Sequence, residues 1–230
     1  MPDRPVAELL LGRLPMDHAL PTFDPDRAQA GAGQLFVEWL TEAVAVGVVD
    51  PQVVTLSTVD ADGAPDARVV VLRDVDAQAG GWMFAADADS PKGRQLAVRP
   101  EAAMTLYWPQ QGRQIRIRGH VRQAPPQVSA AEFLTRSPVS RSASLVGHQS
   151  EPLGSLAAYD VAAREAEALL EDAPDAVAPG HTVYWLLARE VEFWQGSGDR
   201  RHVRLLYVRN GPVSGTLSGP AGWTRTLLWP

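Results

Sequence analysis

Gln114-Ile115-Arg116-Ile117-Arg118-Gly119-His120-Val121-Arg122 places an apolar or small residue at every second position, with a polar or charged one between. A period of two belongs to a β-strand with one face in a core and the other in water. The neighbouring runs repeat the signal. Val53–Val59 sets Val54 and Leu56 against Thr55 and Ser57, and Asp60-Ala61-Asp62-Gly63 follows as a hairpin turn. Ala67–Arg73 then carries the β-branched run Val69-Val70-Val71 between Arg68 and Arg73. Those two arginines are an odd number of residues apart, so a regular strand points them to opposite sides. Trp82–Ala86 and Ala102–Trp108 extend the set upstream of Gln114. Val183–Trp194, Val203–Arg209 and Gly222–Leu228 extend it downstream. Hairpin-length connections cannot join parallel neighbours. The seven to nine strands are therefore expected in antiparallel order, closing into a β-barrel in a β-rich α+β fold with peripheral helices.

The helical segments lie between and around these strands. Residues 1 to about 32 read as a mobile arm with one short helix at Pro5–Leu14, and residues 33–230 as one domain. From Gln34 to Val46, Leu35, Phe36, Leu40, Ala43 and Val46 recur at roughly helical spacing; Gly47 can end that helix and Asp50-Pro51 turns the chain. Ser90-Pro91 opens a helix through Leu96, with Ser as cap and Pro at the first helical position. Pro125-Pro126 precedes a helix through Glu132, Phe133 and Leu134. Residues 136–153 read as a Ser/Arg-rich loop and Leu156–Leu170 as an Ala-rich helix.

Composition narrows the function. Twenty-one basic and twenty-seven acidic residues give a net charge of −6, which argues against non-specific nucleic-acid binding. There is no cysteine, so disulfides and thiolate metal sites are excluded. His18, His120, His148, His181 and His202 show no metal-ligand spacing. No apolar run is long enough to span a membrane and Met1-Pro2-Asp3-Arg4 opens no secretion signal, so a cytoplasmic location is expected. The sequence contains no G-x-S-x-G, P-loop or G-x-G-x-x-G motif, and no paired carboxylates at acid–base spacing.

Several clusters can carry chemistry. Trp194, Gln195, Arg200, His202 and Arg204 fall within eleven residues. A strand that presents an aromatic plane, followed by a turn that gathers cations, suits a flat anionic molecule; a solvated hairpin end carries the same residues. Ser90-Pro91-Lys92 is either an ordinary capped helix or an anion-binding helix start, and Lys92 runs against the macrodipole there. Arg68 and Arg73 are either solvated strand ends or ligands. Gln114 sits amid Arg113, Arg116 and Arg118 on a strand that would also serve as a barrel exterior. Arg136, Arg141, His148 and Gln149 share the Ser/Arg-rich segment.

Taken in order, these phrases resemble the pyridoxine/pyridoxamine 5′-phosphate oxidase family of FMN-binding split-barrel proteins. The resemblance runs from about Gln34 to Pro230. It rests on Ala67–Arg73, Ser90–Leu96, Tyr107-Trp108, Gly112–Gly119, Gln149-Ser150, Val191–Gly196, Arg200-x-His202-x-Arg204 and Leu228-Trp229-Pro230. It implies an antiparallel split β-barrel and a homodimer with FMN at the subunit interface. It also implies flavin contacts from Arg68, Val69, Val70, Val71, Ser90, Lys92, Gln114, Gln149, Ser150, Trp194 and Arg204. Arg200 and His202 match substrate-orienting, catalytic positions. Arg73, Phe133, Ser137 and Arg141 match the substrate-phosphate cradle, with Arg136 as an alternative counterpart. The departures are Ser-Pro-Lys for the usual Ser-Arg-Lys, Ala85-Ala86 for an aromatic-Thr pair, and Arg73 and Phe133 for Lys and Tyr. The implied activity is hydride transfer from a small aromatic or heterocyclic substrate to FMN, with dioxygen as acceptor. Three forms of it stay open: a phenazine-type oxidase of specialised metabolism, a vitamin B6 phosphate oxidase, and a flavin-binding barrel without turnover.

Overall fold

The computed structural model describes residues 5–11, 16–212 and 220–230. Its longest strand, His181–Gln195, organises the sheet. In chain order the strands are β1 (Val53–Val59), β2 (Pro65–Asp76), β3 (Gly81–Asp87), β4 (Glu101–Trp108), β5 (Arg113–Gln123), β6 (His181–Gln195), β7 (Val203–Arg209) and β8 (Trp223–Leu228). They lie in the order β3-β2-β1-β4-β5-β6, and β3 pairs back onto β6, closing a six-stranded antiparallel barrel. One edge of β6 carries β5 along most of its length. The other edge is divided, with residues 181–187 pairing with β3 and residues 190–195 with β7, which β8 extends.

Gly119 sits at the point of division. The β5–β6 register shifts between Arg118 and Gly119, leaving Arg189 of β6 without a partner residue. A Cβ on Gly119 would stand 2.0 Å from the Leu187 carbonyl oxygen, so only glycine lets the two backbones approach this closely.

The alternation read from Gln114–Arg122 is present. Ile115, Ile117, Gly119 and Val121 are buried, while Arg116, Arg118 and Arg122 face solvent. The inward residues join Val54, Leu56, Phe84, Met104, Leu106, Leu186, Val191 and Phe193 in one core. Six α-helices surround the sheet among the described residues: α1 (Pro5–Leu11), α2 (Ala32–Ala45), α3 (Pro91–Val98), α4 (Pro126–Leu134), α5 (Pro138–Leu145) and α6 (Leu156–Asp172). On α2, Leu35, Phe36, Trp39 and Ala43 are buried while Val37 and Val44 face out. Phe36 meets Trp82 of β3 edge-on at 5.6 Å, and Trp39 meets Phe193 of β6 at 5.1 Å. The Arg113 guanidinium lies over the Trp39 ring at 4.2 Å. The helix ends where expected, with Gly47 just beyond it at φ +74°.

Two sequence expectations change. The segment 136–153, read as a loop, contains α5. Ser137 caps it, accepting from the Ser140 N–H at 3.3 Å, and Pro138 takes the first helical position. The start signal is the Ser-Pro pair that opens α3, here inside a run of serines with poor helix propensity. The N-terminal arm, read as mobile, is held at residues 23–29. Phe23 packs edge-on to Trp39 at 5.1 Å, and the Tyr207 hydroxyl donates to the Gln29 carbonyl at 2.7 Å. The helix expected over Pro5–Leu14 is seen over Pro5–Leu11; residues 12–14 lie outside the described residues.

Candidate active site

The start of α3 forms one end of a cavity of about 710 Å³. Ser90 caps the helix and Pro91 occupies the position whose N–H would have no helical partner. The Ser90 hydroxyl donates to the Asp87 carbonyl at 2.6 Å. The helix can begin this close to the preceding loop because residue 93 is glycine; a Cβ there would stand 2.2 Å from the Ala88 carbonyl oxygen. Lys92, in the first turn, is buried, and its Nζ donates to Gln149 Oε1 at 2.6 Å and Ser90 Oγ at 3.1 Å. Burial lowers its pKa, the nearby Arg68 charge lowers it further, and Asp87 opposes both. An ammonium buried among neutral acceptors at a helix start is a charge that an anion would compensate.

Arg68 stands beside it on β2. Its guanidinium donates to Thr58 Oγ1 at 2.6 Å and the Leu56 carbonyl at 3.2 Å, and pairs with Asp66 at 2.5 Å. Three other groups lower the Asp66 pKa against its slight desolvation: the hydrogen bond from Gln95 first, then the charge and hydrogen bonding of Arg68, and last the Ala67 backbone N–H. Val69, Val70 and Val71 line the cavity along the same strand, and Gln149 and Ser150 line it from the turn after α5. That turn bends sharply, with Gly147, His148 and Ser150 all at positive φ. Of the residues expected at the cofactor, Arg68, Val69, Val70, Val71, Lys92, Gln149 and Ser150 therefore converge on one cavity, and Ser90 supports Lys92 from behind. Ala85, Ala86 and Pro91 also line it, so the positions that depart from the family pattern face the same space.

A second polar cluster forms one wall. Glu132 on α4 accepts hydrogen bonds from Arg73 Nε at 3.1 Å, Arg136 Nε at 3.3 Å and His181 Nε2 at 2.6 Å. Arg136 and His181 line the cavity. Desolvation would raise the Glu132 carboxyl, but the His181 hydrogen bond and the Arg136 and Arg73 charges outweigh it and hold the pKa below the usual value. Burial pushes His181 the other way from its partner: desolvation lowers its pKa, and the Glu132 hydrogen bond only partly restores it. The expected substrate cradle is arranged differently. Phe133 is fully buried with its ring edge-on to His181 at 5.0 Å. Ser137 caps α5, and Arg141 donates to the Pro174 and Ala176 carbonyls. Neither Arg73, Phe133, Ser137 nor Arg141 lines the cavity, whereas Arg136 does. Glu132 and His181 escaped the sequence reading. The only local sign was the i,i+4 spacing of Glu132 and Arg136; the partners Arg73 and His181 are remote in sequence.

The remaining expected residues form a separate constellation. Gln114 of β5 pairs with Trp194 of β6, which pairs with Arg204 of β7, so the three share one transverse row of the sheet. Their neighbours Ile115, Phe193 and Leu205 point into the core, which turns this row outward. Arg204 Nε donates to Glu192 at 2.8 Å, a hydrogen bond that raises the arginine pKa, and Nη1 donates to the Trp229 carbonyl at 2.9 Å. The His202 ring lies 4.8 Å from that of Trp194, and its Nδ1 accepts from the Ser197 N–H at 3.1 Å. The neutral His202 therefore carries its proton on Nε2. Arg200 is exposed at φ +67° in the tight turn between β6 and β7. None of these five residues lines the cavity. Among the described residues no group of His, Cys, Asp and Glu could hold a metal ion, and no helix is long and apolar enough to cross a membrane.

Comparison with known proteins fits this layout. Residues 40–170 match the family described as pyridoxamine 5′-phosphate oxidase, and residues 181–230 match the pyridoxine 5′-phosphate oxidase C-terminal dimerisation region. The chain is 37% identical over 195 residues to a pyridoxine/pyridoxamine 5′-phosphate oxidase of Paraburkholderia phymatum, covering 85% of this chain and 87% of that one. It is 35% identical to the protein of the same name from Hyphomonas neptunium, covering 85% of each. The fold matches PhzG from Burkholderia lata, solved in complex with tetrahydrophenazine-1-carboxylic acid, with a TM-score of 0.81 at 29% identity over 93% of this chain and all of that one. This chain belongs to the pyridoxamine 5′-phosphate oxidase family and is a flavin-type oxidoreductase of that family.

Proposed function

We propose that the protein is an FMN-dependent oxidase that removes a hydride from a small aromatic or heterocyclic substrate, with dioxygen as final acceptor. The observation that carries this reading is the buried Lys92 ammonium at the capped start of α3, beside Arg68, at one end of the cavity. Residues and cofactor match in chemistry: Lys92, Ser90 and Arg68 can take the phosphate, and the backbone of Val69–Val71 can lie along the edge of a flat ring. Bound there, FMN would supply the hydride acceptor and, through its reoxidation, the route to hydrogen peroxide.

The chain's own residues then bind and orient. The outward row Gln114–Trp194–Arg204 and the Arg200–His202 turn do not reach the cavity of their own chain. In a homodimer the row of one protomer can complete the cavity of its partner, which the match to a dimerisation region supports. His202, with Nε2–H directed away from its Ser197 contact, and the exposed Arg200 would hold the substrate over the ring. No strong general base is needed. The resemblance to a phenazine-pathway structure supports a specialised-metabolism substrate, and the curated relatives support vitamin B6 phosphate as the second reading.

The test is reconstitution. Protein loaded with FMN should be yellow, bleach anaerobically with its substrate and recolour in air with release of peroxide; a barrel that binds FMN but is never reduced by any ring substrate would overturn the oxidase reading. Arg200→Ala should lower turnover by about a hundredfold with FMN still bound, since it removes orientation rather than the cofactor site. Loss of flavin instead would show that the role assigned to Arg200 is wrong.

A further inference from the structure

The cavity's cations are unequally available. Arg68, Lys92 and Arg136 line it. Arg68 and Lys92 sit together at the α3 end, where the proposed reading places the cofactor phosphate. Arg136, on the wall it shares with His181, is left to receive a second anion, and there Glu132 already holds it. The Glu132 carboxylate takes Arg136 Nε at 3.3 Å, Arg73 Nε at 3.1 Å and His181 Nε2 at 2.6 Å. Only 11% of its side chain is exposed, so water screens it poorly. Two guanidinium charges against one carboxylate leave the wall a single net positive charge. A phosphate monoester brings nearly two negative charges. Placed against Arg136 it would lie within a few ångströms of Glu132, in a half-buried site where like charges repel strongly. His181 offers it no help, because its Nε2 is committed to Glu132 and its ring edge packs on buried Phe133.

We infer that Glu132 acts as a charge filter on the substrate wall, excluding phosphate monoesters, so that the substrate is a ring carrying no phosphate group and at most one anionic substituent. This rests on the flavin reading for the placement of the cofactor phosphate. It sharpens that reading by setting vitamin B6 phosphates aside as substrates, although the curated relatives are named for them.

Two probes that differ only in the phosphate test it: pyridoxal 5′-phosphate and pyridoxal, titrated by calorimetry into the FMN-loaded protein. On the unaltered protein the phosphate should give no gain in affinity. In Glu132→Gln, which keeps the side-chain volume and removes the charge, pyridoxal 5′-phosphate should bind about tenfold or more tighter than it does to the unaltered protein, with pyridoxal unchanged. Adding Arg136→Ala to Glu132→Gln should abolish that gain. Unaltered protein that prefers the phosphate probe by about tenfold would overturn the inference. So would a folded Glu132→Gln protein with no gain. Should the variant unfold, shown by circular dichroism, the two-probe comparison on the unaltered protein still decides. Failure of the flavin reading would appear separately, as protein that never takes up FMN, and the two probes could then be compared on the chain as purified.

Discussion

Lys92 shows how one residue's surroundings define its task. Lysine in the first turn of a helix opposes the macrodipole, and here it is also buried, both of which disfavour its charge. A bound phosphate would reverse both penalties. Lys92→Met should therefore weaken FMN binding by about tenfold or more, read by quenching of flavin fluorescence, with the fold intact by circular dichroism. The lowered pKa gives the sign with pH. FMN affinity should fall as pH rises through the depressed Lys92 value, below 10.5, and Lys92→Met should flatten that fall. In the free protein the same shift makes the unfolded chain bind more protons across that window, so stability rises with pH there. Glu132 and His181 act at the acid end. The Glu132 pKa is depressed from 4.5, so its contribution is present above that pH and lost as pH falls through the folded value. His181 is depressed from 6.5, so acidification must charge a group the fold keeps neutral. Urea midpoints should fall as pH drops below 4.5 for the unaltered protein and fall less steeply there for Glu132→Gln, which lacks the depressed carboxyl. Equal slopes would show that the cluster does not govern acid stability.

At the scale of elements, β6 decides the architecture. Its first half closes the barrel on β3 and its second half carries β7 and β8, with the change made at the bulge opposite Gly119. Gly119→Ala would drive a methyl into the Leu187 carbonyl, an immovable backbone atom, and should cost about 1–3 kcal/mol or more in chemical denaturation. Gly47→Ala is the control. Nothing lies within 4 Å of its Cβ position, and only its φ of +74° is at stake, so the cost should be about 1 kcal/mol. Equal losses at both sites would mean that the close approach at the bulge does not constrain the barrel. The alternation in Gln114–Arg122 and the Ser-Pro start of α3 were legible because each depends on near neighbours. The Ser-Pro start of α5 was equally present but sat in serine-rich surroundings that read as a loop.

At the scale of the molecule, the expected site residues divide into two groups on one chain. Arg68, Lys92, Gln149 and Ser150 meet at the cavity; Gln114, Trp194, Arg200, His202 and Arg204 face outward elsewhere. A two-fold dimer that joins the halves predicts complementation. At FMN concentrations too low to load Lys92→Met, that protein and Arg200→Ala, each nearly inactive alone, should regain about a quarter of normal activity when unfolded and refolded together in equal amounts, because half the dimers are mixed and one of their two sites is intact. Mixtures no better than the sum of their parts would place both groups in the same protomer's site.

The sequence by itself determined the antiparallel barrel and the capped start of α3, because alternation, capping and turn chemistry act over a few residues and survive in linear order. Only the tertiary structure decided what Glu132 does. Its partners Arg73 and His181 lie 59 and 49 residues away, and a carboxylate's effect on a binding wall depends on which charges folding brings within a few ångströms of it.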